Sequence, residues 1–175
     1  MSKVETELNV LHPILHLIVP TEYPKDRVQK LWDHLRTQDY AFDDTSREDG
    51  LAFVTQLLIP NNIYFEVGDM QGLAMAASIV PKTSAILHFA IWNHISPLVL
   101  NKAAHSLAGW LFDQFELNRL SAFIPQPNDK AKRMAALLGM RYEGTIREAF
   151  LSHGKYLNVH AYGLLRSEFE ALRRI

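Results

Sequence analysis

The sequence predicts a single α/β domain in which helices lie on an open, mixed central sheet. Three observations lead there. Apolar β-prone runs and helix-period stripes alternate along the chain, the pattern of helices laid on a sheet. Gly, Pro, Asn and Asp stand at the joints between those runs, where turn chemistry needs them. No repeat, low-complexity tract or Gly/Ser linker interrupts the 175 residues, so 1–175 is read as one domain large enough to bury a core.

The elements follow in order. Leu8 to Val19 is apolar and β-prone, and Pro13 within it predicts an edge or kinked strand. Val28, Leu31, Trp32 and Leu35 then fall at i, i+3, i+4 and i+7 of a helix with Pro24 in its first turn. Gln38 to Gly50 is polar and acidic and reads as a loop, with room for a helical turn. Between Leu51 and Asn93 three strands are predicted: Asn61–Val67, Gly72–Val80 and Ser84–Asn93, parted by Gly68-Asp69 and by Pro81. Ser96-Pro97 opens a helix to about Phe115, with Leu100, Ala104, Leu107 and Leu111 on its buried stripe.

Arg119 to Ile124 is a short strand. Asn128 caps the next helix, whose inner face is Ala131, Met134, Ala135 and Leu138, and Gly139 is its left-handed stop. Tyr142–Leu151 and Tyr156–Leu164 form a hairpin around His153-Gly154, with Tyr156, Asn158, His160 and Tyr162 on one face. Ser167 with Glu170 reads as a capping box for a final helix. The order is β-α-β-β-β-α-β-α-β-β-α.

Composition narrows the functions. With 18 basic against 19 acidic side chains and a net charge of −1, the chain lacks the cationic surplus that nucleic acid or an anionic membrane needs in a partner. It has no cysteine, which removes disulfides, thiolate metal sites and a cysteine nucleophile. No apolar run approaches the ~20 residues of a membrane span. Residues 1–7 are acidic and lack the layout of a secretion signal, so the expected setting is cytoplasmic. His12 and His16 are four apart on a predicted strand with no third ligand at suitable spacing, and no metal is expected.

A family resemblance enters with the C-terminal half. Leu117-Asn118-Arg119-Leu120 joins the long helix to a strand, and Pro127-Asn128 follows. Leu138-Gly139-Met140-Arg141-Tyr142-Glu143-Gly144 leads to Ile146-Arg147-Glu148-Ala149. Then come Gly154-Lys155-Tyr156-Leu157-Asn158-Val159-His160 and Tyr162-Gly163-Leu164-Leu165, ahead of Ser167-Glu168-Phe169. This series resembles the GNAT (Gcn5-related N-acetyltransferase) superfamily, in particular its ribosomal-protein and small-amine branch. The resemblance covers Phe115 to Phe169. Over the first half it rests on the order of elements.

The resemblance implies a GNAT-like fold in which the strands ending near Asn93 and Ile124 are parallel neighbours that splay apart. Acetyl-CoA as cosubstrate would lie in that cleft, with Asn128 offering its side-chain amide. The plain alternative is that Asn128 only caps its helix. Relatives hold the pyrophosphate on a glycine-rich loop before the long helix, where backbone N–H groups and the helix dipole meet the phosphates. Here the interval Asn93 to Lys102 has no glycine, and Pro97 removes a donor. The amides of Asn93, Ile95, Leu98 and Val99 are what remains for that task. Lys132, with Lys130 and Arg133, would greet the 3′-phosphate or form a solvated helix face. Two positions that carry Ser or Tyr in relatives are Ala131 and Ala135 here.

Transfer to an amine needs a group to take its proton. His94 at the mouth of the cleft is the leading candidate, since histidine titrates near neutrality. His88, an alternate-face residue on the same strand, and Glu66, at the end of a neighbouring strand as a water-relayed base, are the others. Each also has the plain reading of a solvated or hydrogen-bonded polar residue. Two functions follow: an N-acetyltransferase acting on an amine of a protein or small molecule, or an inactive binding or assembly module on the same fold, such as a phage-encoded structural protein. A homo-oligomer is left open by the sequence.

Overall fold

The computed structural model describes residues 11–174. Its strands are β1 (Leu15–Ile18), β2 (Ile63–Val67), β3 (Gly72–Val80), β4 (Ser84–Ile91), β5 (Arg119–Pro125), β6 (Arg141–Ser152) and β7 (Lys155–Leu165). Its helices are α1 (Lys25–Leu35), α2 (Gly50–Leu57), α3 (Pro97–Gln114), α4 (Asp129–Leu137) and α5 (Arg166–Leu172). The strands form one sheet in the order β1-β2-β3-β4-β5-β7-β6. Every neighbouring pair is antiparallel except β4 and β5, which are parallel and joined through α3.

Two apolar cores lie against the sheet. The larger is built by α3, α4 and α5, with Leu107, Leu111, Phe112 and Phe169 buried against Phe65, Leu120 and Leu164. The smaller gathers Leu31, Trp32 and Leu35 of α1 with Phe53 and Leu57 of α2 over Tyr64 and Leu73. The predicted inner stripes of α1 and α3 are thus buried, with Val28 and Leu100 half-buried at their edges.

Four elements differ from the sequence reading. Residues 51–57, assigned to no element, are α2, capped by the Asp49 carboxylate, which accepts the Ala52 N–H at 2.8 Å. Its apolar residues run almost all the way round: Phe53 and Leu57 are buried while Leu51, Val54 and Leu58 are exposed. No single stripe announced the helix. The first strand begins at Leu15, after Pro13; the part of the prediction at Leu8–Val10 lies outside the described residues. Strand β4 stops at Ile91, short of Asn93. The last helix starts at Arg166, and Glu168 rather than Glu170 reaches back, accepting the Leu165 N–H at 3.0 Å.

The hairpin has the predicted pairing, with Ser152 opposite Lys155. His153 and Gly154 take φ of 50° and 70°, the left-handed pair of a two-residue turn that matches strand twist. Both register shifts fall on β6, so β7 alternates without interruption. Tyr142 accordingly meets both His160 and Tyr162, with ring centroids 5.2 and 5.8 Å away. Gly139, at φ 89°, ends α4 in the left-handed conformation that a side chain resists.

Candidate functional site

The parallel pair β4/β5 sets the site. Its register covers only Ser84–Ile86 against Arg119–Ser121. Beyond those residues each strand keeps its outer partner: β4 stays on β3 to Ile91, opposite Gly72, and β5 stays on β7 to Pro125, opposite Val159. Only the shared edge opens. From Leu87 and Ala122 onward, the N–H and C=O groups on that edge have no ladder partner across the gap. Such groups need other partners if water is kept out.

A cavity of about 400 Å³ occupies the opening. Leu87, His88, Phe89 and Ala90 all line it, and so do Ala122, Phe123, Ile124 and Pro125. Successive strand residues point to opposite faces. A cavity that touches four consecutive residues on each of two neighbouring strands must therefore pass between them. It joins the two sides of the sheet.

The two ends differ in chemistry. On the α4 side the walls are Ala131, Met134, Ala135, Leu138 and Met140, with Asn128 as the polar group. The Asn128 Oδ1 accepts the Ala131 N–H at 3.1 Å and so caps α4. Its Nδ2 has no hydrogen-bond partner among the described residues. On the α1/α2 side the walls are Leu35, Phe42, Phe53, Leu73 and Met75, and the polar groups are Tyr40, Ser46, Asp49, Gln56, Tyr64 and His88. Tyr64 is already committed, donating its hydroxyl to the Gln56 carbonyl at 2.9 Å. His88 opens onto the cavity but is crowded by protein elsewhere, and this desolvation pushes its pKa below the ordinary histidine value of 6.5. Its side chain keeps an exposed surface.

Residues 36–49, between α1 and α2, form a strap over that end. Asp44 fastens it to the hairpin: its two carboxylate oxygens accept the N–H groups of His153 and Gly154 at 2.9 and 2.8 Å. The Asp44 N–H donates to the Leu151 carbonyl at 2.9 Å. Tyr40 packs near Phe150, with ring centroids 6.5 Å apart. Within the strap, Asp43 Oδ1 accepts from the N–H groups of Thr45 and Ser46 and from the Thr45 hydroxyl.

Comparison with known proteins finds no matching family model and no matching curated protein. Solved structures do match. A chimera of the spermidine N-acetyltransferase SpeG from Vibrio cholerae with hSSAT superposes with a TM-score of 0.69 at 18% identity, over 89% of this chain and 98% of that one. A GNAT-family acetyltransferase from Bacillus anthracis gives 0.65 at 15% identity, over 84% and 93%. A probable GNAT-family acetyltransferase from Chromobacterium violaceum gives 0.67 at 16% identity, over 89% and 88%. This chain has the GNAT fold.

Within the GNAT fold, the expected site residues divide. Asn128 lines the cavity. His94 does not: it is exposed on the loop between β4 and α3, where its carbonyl accepts from Gln71 Nε2 at 3.1 Å. The Asn93 N–H is spent on the Gln71 carbonyl at 3.2 Å, beside the Trp92 N–H at 3.1 Å, so it is not a free donor. Ile95 packs its side chain against the larger core. The N–H groups of Leu98 and Val99, in the first turn of α3, keep no partner within the helix, as such positions do not. Lys132 is paired with Asp129 at 2.8 Å.

Glu66, expected as a water-relayed base, does not line the cavity. Its carboxylate receives Arg27 through two nitrogens, the Tyr23 hydroxyl and the Met70 N–H, the last at 2.9 Å. Burial alone would raise its pKa; Arg27, Tyr23 and Met70 together hold it below the usual carboxylate range. Tyr23 is in turn pushed up to about 12, by burial first and by the carboxylate second. A carboxylate so occupied ties α1 to the sheet. Among the described residues no group of three or more His, Asp or Glu is placed to hold a metal, and no helix is long and apolar enough to cross a membrane.

Proposed function

We propose that this chain is an acyltransferase that moves an acetyl group from acetyl-CoA to an amine, with His88 as the base. The observation that carries this is the cavity through the β4/β5 gap. It offers an apolar channel on one side of the sheet, a chamber of apolar walls set with a few polar groups on the other, and unpaired backbone groups between them. The acyl-pantetheine arm fits the α4 side, where Asn128 Nδ2 and the free strand edge supply hydrogen bonds to its amides and thioester. The pyrophosphate is left with the amides at the start of α3, Leu98 and Val99 among them, without Pro97 or Asn93.

The chemistry balances with the groups at hand. Bound acetyl-CoA supplies the electrophilic carbon. Neutral His88 accepts the proton that the amine gives up as its nitrogen forms the new C–N bond, and the C–S bond breaks. The sulfur leaves and takes that proton back from the His88 imidazolium, directly or through water, as the free thiol. Free N–H groups on the β4 edge face the carbonyl oxygen where charge develops.

The test is calorimetry with acetyl-CoA and CoA, followed by thiol release with an amine panel. Acetyl-CoA should bind more weakly than to relatives with a glycine loop, since one lost charge-assisted hydrogen bond is worth roughly 10–150-fold. His88→Ala should keep that binding and lose about 10²–10⁴ in rate. A second reading, a non-catalytic module, is favoured by the glycine-free phosphate loop and its engaged Asn93 amide. No heat and no turnover with millimolar acetyl-CoA would establish it in place of the first.

A further inference from the structure

The acceptor chamber also has a charge pattern, and it differs from what a polyamine or an acidic amine would need. We infer that the chamber selects a small amine whose body is aromatic or aliphatic and whose only charge is the reacting ammonium, steered by Asp49. This inference rests on the acyl-transfer reading above and names its substrate class. Phe42, Phe53, Leu35, Leu73 and Met75 give the chamber apolar walls. Asp49 is the one carboxylate in the lining, and no lysine or arginine belongs to it. Arg47, nearby on the strap, has Nε and Nη2 buried without a hydrogen-bond partner, but it does not line the cavity.

The counting of charges decides the class. A substrate carboxylate or phosphate would find no lysine or arginine in the lining of the chamber. A polyamine would bring two or more ammonium groups to a single carboxylate, and each further one would exchange its water for neutral partners only, such as Tyr40, Ser46 and Gln56. A lone ammonium is matched. Asp49 Oδ1 is held by the Ala52 N–H at 2.8 Å, which fixes the carboxylate, and Oδ2 has no hydrogen-bond partner among the described residues. The apolar body then covers the aromatic walls, where its burial is favourable. Once guided in, the ammonium loses one proton to water, and the neutral amine then attacks with His88, on the same cavity, as the base described above.

Steady-state thiol release with acetyl-CoA is measured for 2-phenylethylamine, hexylamine, spermidine and glutamate, alongside the melting shift each amine produces alone. The monoamines should exceed spermidine and glutamate in kcat/KM by about tenfold or more, and should give the larger melting shifts. Asp49→Asn keeps the helix cap, because Asn caps as well as Asp. It should raise the KM for 2-phenylethylamine about 10–100-fold, the worth of a charged hydrogen bond. Inhibition by the neutral 2-phenylethanol should stay within about twofold, which a merely structural role for Asp49 would not predict. Preference for spermidine or glutamate, or an Asp49→Asn variant with unchanged KM, overturns the inference while leaving acyl transfer intact. If acetyl-CoA neither binds nor turns over, acyl transfer fails, and the melting shifts still judge the chamber: a larger shift with spermidine or glutamate than with the monoamines refutes its selectivity.

Discussion

His88 and Asn128 sit on opposite sides of one gap, and each has a signature that substitution can isolate. Desolvation lowers the His88 pKa, so the base form is populated above a pH that lies below 6.5 and is lost as pH falls through that point. The kcat of the wild type should therefore show an acid limb centred below pH 6.5, and His88→Ala should lack it; a limb at or above 6.5 contradicts the burial argument. For Asn128 the two roles separate by atom, since Oδ1 caps α4 and Nδ2 keeps no hydrogen-bond partner among the described residues. Asn128→Ala should lower stability by about 1 kcal/mol, the worth of a cap. Asn128→Asp keeps the cap and removes the donor, so acetyl-CoA binding should weaken while the melting point holds. Equal stability loss in both variants would leave only the cap. The sequence placed Asn128 because a helix start is locally encoded. It ranked His94 first for its place at the mouth of the cleft, but which side chains line the cavity depends on where the sheet opens, and His88 rather than His94 lines it.

At the scale of elements, the Glu66–Arg27–Tyr23 cluster replaces a presumed base with a fastening. It fixes α1 to β2, and α1 supplies Leu35 to the cavity wall. Removing one partner of a buried pair costs about 3–5 kcal/mol when the other is left without water. Arg27 keeps a third of its side chain exposed, so Glu66→Gln should cost less, about 2 kcal/mol, read from urea unfolding. The folded-state pKa of Glu66 is depressed, so its contribution is present above the ordinary value of 4.5 and fades as pH falls through the lower folded value. The gap in stability between wild type and Glu66→Gln should close in acid. An unchanged gap down to pH 3 would assign the stability elsewhere. Strands β2, β3 and β4 and the β6/β7 hairpin were legible in the sequence because Gly68-Asp69, Pro81 and His153-Gly154 mark their turns. Helix α2 was not, because its apolar residues serve the cavity on one side and the surface on the other.

The whole molecule closes its cavity with a contact between distant parts of the chain. The strap at 36–49 and the hairpin tip at 153–154 are more than a hundred residues apart, and Asp44 joins them. No local pattern encodes such a pairing; the acidic run from Asp39 to Asp49 read as a solvated loop because its partners are backbone N–H groups of a turn. The Gly154 N–H first, and then that of His153, hold the Asp44 pKa below its ordinary 3.8, so the clasp persists above that value and is released as pH falls through the lower folded pKa. His153 Nε2 lies 3.5 Å from Asp39, a second and weaker tie on the exposed surface. Asp44→Ala should leave the sheet and both cores in place, since none of their buried side chains touches the clasp. Amide exchange should then speed up at His153 and Gly154 and along the strap, while exchange in β3 and β5 stays unchanged. With the strap freed, the chamber loses its ordered wall at Tyr40 and Phe42, so the KM for an amine should rise several-fold more than kcat falls. Unchanged exchange at the tip would show that the strap is held by its own packing, with Asp44 incidental to closure.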